Sequence, residues 1–225
     1  MPRKKRIDYP GTLHHIIVRG INKEKIFRDD QDKNEFLNRL KLGLRKSKCQ
    51  CMAWVLMSNH FHLLIRTGEK PLTNLMRSLL TSYAIYFNKK NKRCGYVYQG
   101  RYKDILCDEE SYLLELIRYI HLNPIRAGII KSIDELEKYK WSGHGAILGN
   151  NKNDWQEINE ILLRFGKTTG IAKKGYNEFV REGLPMGKRR EFSGGGVIRS
   201  YGGWEKVKEM KKDKVNWRAD DRILG

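Results

Sequence analysis

The chain has 225 residues, 40% of them hydrophobic, and its 45 Lys and Arg against 26 Asp and Glu give a formal net charge of +19. That excess indicates a polyanionic partner, most often nucleic acid. No run of about 18 apolar residues occurs and no apolar stretch follows the basic N-terminus, so neither a transmembrane helix nor a secretory signal is expected.

Strand and helix patterns alternate from the beginning of the chain. An apolar, β-branched run at 12–19 predicts a strand, and 29–47 predicts a helix that begins with acids and ends with bases. Two further apolar runs, at 51–57 and 60–65, predict strands joined by a tight turn at Ser58-Asn59.

The same alternation continues. Helical spacing of apolar residues predicts a second helix at 72–90, followed by a basic, glycine-bearing loop at 91–100. Residues 101–107 suit a strand and 109–122 a third helix, stopped around Asn123-Pro124. This order is the βαββαβ unit of an α+β, ferredoxin-like fold, with an antiparallel sheet covered on one face.

The last third differs in composition. We expect one domain at 1–150 and a basic extension at 151–225 that is mainly helical or irregular. Helical pattern occurs at 155–165 and briefly at 176–181, before a glycine-rich part beyond residue 193. The residues of the extension expected to pack on the core are Trp155, Ile158, Leu162, Leu163 and Phe165.

Four cysteines are few for this length, and Cys49 and Cys51 are too close together for an ordinary structural zinc site. We interpret them, with Cys94 and Cys107, as reduced thiols of a cytoplasmic, nucleoid-associated protein. An anionic membrane surface is the competing partner. It would favour a basic amphipathic helix with a bulky apolar face, and none is obvious.

The first chemical signal is His60-Phe61-His62 at the start of a predicted strand. Side chains at i and i+2 of a strand share one face, so two imidazoles project together and could hold a metal ion. The alternative is a pair of histidines on a polar sheet face without a ligand.

The second signal is RYIHLNP, where Tyr119 and Asn123 are spaced i and i+4 at a helix end. A tyrosine can attack phosphorus if a metal polarises the phosphate, and an amide oxygen can bind the same metal. The alternative is that Tyr119 packs half-buried and Asn123 caps the turn. Tyr112, two turns earlier, is the main competitor as nucleophile.

Five segments together resemble the HUH tyrosine transposases that act on single-stranded DNA, and in particular the REP-associated ones. They are HHIIVRGINKEKIF, WVLMSNHFHLLI, YQGRYKDILC, RYIHLNPIRAGII and KWSG, within about residues 8 to 145. The resemblance implies a ferredoxin-like nuclease that cuts next to hairpins, joins its tyrosine to the 5′ phosphate and requires Mg²⁺ or Mn²⁺. It implies Tyr119 as nucleophile and His60, His62 and Asn123 as metal ligands, although Gln is more usual than Asn at the last position.

Basic and aromatic residues around this core are candidates for DNA contact, chiefly with phosphates or stacked bases. They are Lys4, Lys5, Arg6, Arg19, Lys23, Arg93, Tyr98, Arg101 and Lys103.

Two other functions remain open: a domesticated protein that binds hairpins without cutting, and another class of HUH nuclease. The sequence leaves open the DNA target and whether the protein is a monomer or a homodimer. Its last residues, RADDRILG, resemble the start of a segment that continues in longer relatives, so we expect a truncated or shortened member.

Overall fold

The computed structural model describes residues 9–107 and 109–187, without the side chains of 109–111. The predicted basic arm at Lys4, Lys5 and Arg6 lies outside the described residues, as does the glycine-rich part beyond residue 193. Within the described part, no helix combines the length and apolar character needed to cross a membrane. All four cysteines are free thiols.

Four antiparallel strands form one sheet in the order β2-β3-β1-β4. The strands are β1 (Leu13–Arg19), β2 (Gln50–Met57), β3 (His60–Arg66) and β4 (Lys103–Cys107). Helices α1 (Asp30–Ser47) and α2 (Leu72–Lys90) connect them, which confirms the βαββαβ order. The predicted two-residue turn joins β2 to β3, since Met57 pairs with His60.

Local chemistry sets the ends of α1. The Asp29 side chain accepts a hydrogen bond from the backbone N–H of Asp32, which caps the N-terminus. Lys48, with φ of 53°, ends the helix in left-handed geometry. Between them Phe36 and Leu40 are buried at helical spacing against the sheet, so the amphipathic pattern orients the helix.

Helices cover both faces of the sheet, and the expectation of one covered face is wrong. Helices α1 and α2 pack on one face, against Ile16 and Phe61 among others. Leu13 and Leu64 on the opposite face contact α3 (Glu109–His121) and the C-terminal helices. The sequence carried this information, because 51–57 is a continuous apolar run, as in strands buried on two faces.

Residues after α3 are more helical than predicted. The helices are α4 (Asn123–Arg126), α5 (Ile133–Lys138), α6 (His144–Leu148), α7 (Asn159–Leu163) and α8 (Thr169–Glu182). The short helix predicted at 176–181 therefore begins earlier, where the Thr168 hydroxyl caps it.

The helix predicted at 155–165 shrinks to α7 because Gln156 is held by the sheet. Its side chain accepts from Trp54 Nε1 at 2.9 Å, and its backbone bridges Cys51. Leu162 is buried as expected, but Leu163 is 76% exposed, so the prediction that Leu163 packs on the core is wrong.

Helix α8 is tied to α3 by a buried polar cluster. The hydroxyl of Tyr176 lies 2.7 Å from His121 Nδ1 and 3.0 Å from His144 Nδ1, and all three side chains are fully buried. The hydroxyl can therefore donate a hydrogen bond to one imidazole and accept a hydrogen bond from the other. His121 lies two residues after Tyr119, so the cluster fixes the helix end that carries this tyrosine.

Replacing Tyr176 with Phe should leave both imidazole nitrogens buried without this partner. We expect Tyr176→Phe to lower the free energy of unfolding by about 1–3 kcal/mol. Urea unfolding followed by circular dichroism measures the change. The control Tyr96→Phe, at a residue 83% exposed, should stay within about 0.5 kcal/mol of the parent. Equal stability of Tyr176→Phe and the parent would show that the cluster does not hold α8 to α3.

Candidate active site

Strand pairing builds the site. Strand β1 lies beside β3 with Ile17 opposite His62 and Arg19 opposite His60. The imidazoles of His60 and His62 share one face, with ring centroids 5.5 Å apart. Phe61 between them points to the other face, where its ring lies 4.6 Å from that of Phe36.

Hydrogen bonds orient both imidazoles in the same way. His60 Nδ1 lies 2.6 Å from Asn59 Oδ1, and His62 Nδ1 lies 2.9 Å from Nε2 of the fully buried His15. The His15 and His62 rings are also stacked, with centroids 5.2 Å apart. Because both Nδ1 atoms are engaged, Nε2 is the nitrogen of each ring left for a ligand.

Burial keeps these rings neutral. It lowers the pKa of His60 to about 4, with a further lowering from the charge of Arg19. Burial also holds the pKa of His62 well below its usual value, assisted by His15, His60 and Arg19. A neutral imidazole offers a lone pair, so the pair is in the form that binds metals.

Tyr119 lies above this histidine pair. Its ring centroid is 6.3 Å from that of His62 and 6.0 Å from that of His15, and the residue is 8% exposed. Burial raises the pKa of the Tyr119 phenol, whereas the charge of Arg126 acts to lower it. The Arg126 guanidinium carbon lies 5.2 Å from the ring centroid. A phenolate formed here would therefore have a cation beside it.

Asn123 is held by the helix that carries Tyr119. Its Nδ2 donates to the carbonyl of Tyr119 at 2.8 Å, which leaves Oδ1 as the atom able to bind a cation. The third helix stops close to where it was predicted to stop, since α3 ends at His121, but the expectation that Asn123 itself leaves helical geometry is wrong because α4 begins there. Pro124 falls in the first turn of α4, where a missing N–H is tolerated, and the chain continues as a helix to Arg126.

These side chains border one cleft of about 590 Å³. Its lining residues are Ile17, Arg19, His60, His62, Gln99, Arg101, Lys103, Tyr119, Asn123, Arg126 and Ala127. The structure thus brings together the four predicted chemical residues and three of the predicted DNA contacts. A cleft with cations around a buried tyrosine and two neutral imidazoles suits a phosphate group.

Other predicted contacts lie elsewhere, and their contact with DNA stays a prediction. Arg93 pairs with Glu24 at 3.0 Å, Tyr98 packs against the core beneath α1 and α2, and Lys23 is exposed on the turn after β1. Tyr112, half-buried on α3, packs against the core and does not line the cleft.

Sequence reasoning missed His15 and Arg126. His15 shares the sheet face of Ile17 and Arg19 by strand alternation, but only the pairing of β1 with β3 shows that it meets His62. Arg126 is seven residues after Tyr119, two helical turns away on a similar face. The sequence analysis predicted the end of the third helix but not α4, so it did not relate Arg126 to Tyr119.

Two imidazoles and one amide are the ligands that the cleft offers to a metal. Across the described residues, no group of three or more His, Cys, Asp or Glu side chains could hold a metal ion. The donor set nevertheless suits a divalent cation, because each histidine has its Nδ1 oriented by a hydrogen bond, as metal-binding histidines usually do.

A comparison with curated protein sequences gives no match. Among solved structures, the REP-associated tyrosine transposase bound to a REP hairpin is 14% identical, with a TM-score of 0.55 over 70% of this chain and 98% of that one. A protein of Deinococcus radiodurans R1 described as a transposase is 16% identical, covering 52% and 95% with a TM-score of 0.37. The tRNA(His) guanylyltransferase of Saccharomyces cerevisiae is 10% identical, covering 84% and 86% with a TM-score of 0.38.

Of these structural matches, the first supports the fold alone, since its identity is low. A family model described as "Transposase IS200 like" matches residues 9–123, just over half of the chain. The matched segment contains β1 to β4, the histidine pair, Tyr119 and Asn123. This confirms the resemblance drawn from the motifs, and the chain belongs to the IS200-like transposase family.

Proposed function

We propose that this transposase cleaves and rejoins single-stranded DNA next to a hairpin through a covalent bond between Tyr119 and a 5′ phosphate. The observation that carries the proposal is the position of Tyr119, whose ring lies 6.3 Å from that of His62 within a cleft bordered by cations. The proposal that the DNA contains a hairpin is supported by the solved structure with the same fold that is bound to a REP hairpin.

Cations at the cleft account for binding of the DNA backbone. Arg19, Arg101 and Lys103 line it, and the chain as a whole carries a net charge of +19. Neutralising phosphates with such groups supplies affinity without reading sequence. A scissile phosphate between these cations would lie next to the phenol.

His60, His62 and Asn123 would hold Mg²⁺ or Mn²⁺, through two imidazole nitrogens and one amide oxygen. When bound, such an ion supplies Lewis-acid polarisation of the phosphate oxygens. The residues themselves prepare the site: the hydrogen bonds of His15 and Asn59 orient the imidazoles, and burial keeps them uncharged.

The reaction exchanges one phosphoester for another. The Tyr119 oxygen bonds to phosphorus and gives its proton to water. The bond from phosphorus to the 3′ oxygen breaks, and this oxygen takes a proton from water to become a 3′ hydroxyl. The Arg126 guanidinium stabilises negative charge on the phenol oxygen as the proton departs. Because the ester bond is conserved, a 3′ hydroxyl can attack the phosphotyrosine in reverse, and strand transfer needs no ATP.

Tyr119→Phe removes only the hydroxyl and keeps the ring packed, so the fold and DNA binding should survive. We expect cleavage of a labelled single-stranded hairpin and the SDS-resistant protein–DNA adduct both to disappear. Tyr112→Phe is the matched control on the same helix and should still form the adduct. If Tyr112→Phe loses the adduct while Tyr119→Phe keeps it, the nucleophile is Tyr112 and not Tyr119. If the parent binds the hairpin but forms no adduct with Mg²⁺ or Mn²⁺, the protein is a domesticated binder.

Removing both imidazoles should remove metal-dependent chemistry. We expect the double variant His60→Ala, His62→Ala to form adduct at least about a hundredfold more slowly, and EDTA to have the same effect on the parent. Circular dichroism should still show the folded state, although the loss of the hydrogen bond from His62 to the buried His15 should lower its stability. Hairpin affinity should change little, because the cations that line the cleft are kept. Loss of the folded state would mean that the pair is structural.

His15 should control how well His62 binds a metal. We expect His15→Ala to weaken Mn²⁺ binding by about 10–100-fold, as loss of an orienting partner typically does. Titration of Mn²⁺ followed by electron paramagnetic resonance measures this directly. His14→Ala is the matched control: His14 is equally buried on the same strand but bonds Asp104 instead. Equal Mn²⁺ affinity in the two variants would contradict a role for His15.

A further inference from the structure

A second cavity, of about 810 Å³, lies between the outer face of α2 and residues 95–102, and we call it the α2 groove. Its floor and sides are mostly apolar, with Met76, Leu80 and Ala84 from the helix. Ile85 on one side is 65% exposed, and Tyr96 on the other is 83% exposed. Exposed apolar surface of this kind, gathered in a concave site, is typical of a binding surface.

The α2 groove adjoins the active-site cleft. Arg101 lines both cavities. Backbone hydrogen bonds fix the wall between them: the N–H of Gln99 donates to the carbonyl of Arg19 at 2.9 Å, and the N–H of Ile21 donates to that of Val97 at 3.1 Å. The strand end that presents Arg19 to the cleft therefore also positions the groove.

Polar atoms without partners belong to the groove lining. Asn88 donates from Nδ2 to the carbonyl of Gly95, but its Oδ1 is buried and has no hydrogen-bond partner among the described residues. The buried hydroxyl of Tyr98 also lacks one within that part of the chain. Unpaired buried polar atoms cost free energy, so a rotation of either side chain that paired its polar atom with a ligand edge in the groove would be favoured.

The charge around the α2 groove is positive. Arg77 and Arg101 line it, and the described lining contains no carboxylate. The ligand should therefore combine a flat apolar body, a hydrogen-bonding edge and a negative attachment. A nucleotide has all three: an aromatic base that stacks on tyrosine, polar groups at the base edge, and a phosphate.

We propose that the α2 groove binds an unstacked base of the single-stranded DNA that flanks the scissile phosphate. The proposal rests on the proposed function, because it places that phosphate in the adjoining cleft. The strand crosses Arg101, whose guanidinium contacts the backbone. The base beyond it stacks on Tyr96 between Ile85 and Leu80, with its edge toward Asn88.

The test is abasic scanning of the DNA. Hairpin oligonucleotides with one abasic site at successive flanking positions are titrated into the full chain, and Kd is measured by fluorescence anisotropy. With the parent protein, one or two neighbouring abasic positions should raise Kd about tenfold or more. With Tyr96→Ala, Kd for intact DNA should rise by a similar factor. An abasic site at those same positions should then cause no further increase in Kd.

Controls separate this site from general effects. Leu163→Ala, another exposed apolar residue at 76%, should retain the parent's abasic profile. A 2-aminopurine placed at the sensitive position should be quenched by the parent and less so by Tyr96→Ala. If Tyr96→Ala keeps the parent's abasic profile, the proposal is overturned. It is also overturned if Ile85→Asp dissociates a dimer of the parent while leaving the abasic profile intact, since a second copy then covers the groove.

Formation of the SDS-resistant protein–DNA adduct measures the proposed cleavage separately from base binding. An adduct at Tyr119 together with an abasic profile unaffected by Tyr96→Ala would overturn the groove alone. If Tyr96→Ala removes the effect of one abasic position but no adduct forms with the parent, the proposed base-binding site is supported and the proposed cleavage is overturned.

Discussion

Antiparallel pairing of β1 with β3 is the constraint on which the site depends. It places Arg19 opposite His60 and Ile17 opposite His62, and it brings the buried imidazole of His15 to 2.9 Å from His62. A slip of one residue would send all of these side chains to the other face. The alternation of apolar residues that buries Leu13 and Leu64 against α3 therefore also fixes the positions of the histidines at the other end of these strands.

Covering that face with α3 sets the electrostatics. The same helix that buries apolar residues brings Tyr119 over the imidazoles, and the resulting loss of water lowers the pKa of both histidines and raises that of the phenol. Uncharged imidazoles suit a metal, whereas a desolvated phenol resists ionisation. The guanidinium of Arg126 beside the ring opposes this second effect, so the helical turn after Pro124 is part of the site.

The sequence was most informative where function depends on local periodicity. Strand alternation was enough to place His60 and His62 on one face, and helical spacing was enough to relate Tyr119 to Asn123. Long-range strand pairing could not be predicted, because nothing in the sequence near His15 indicates that β1 lies beside β3. The two covered faces of the sheet were missed for a different reason, since the continuous apolar run at 51–57 was visible but was not used. At Pro124 the local rule correctly placed the end of α3 but did not predict α4, because proline is also tolerated in a first helical turn.

In the proposed complex, the two cavities would divide the chemistry of a nucleotide between them. Cations in the active-site cleft would hold phosphates of any sequence, and would thus supply affinity and position without selecting a site. The α2 groove is mostly apolar, and in the proposed complex it would receive a base. Because the end of β1 holds the wall between them, a base seated in the groove would fix which phosphate faces Tyr119. Selection of the cleavage position would then follow from the rigidity of one strand end.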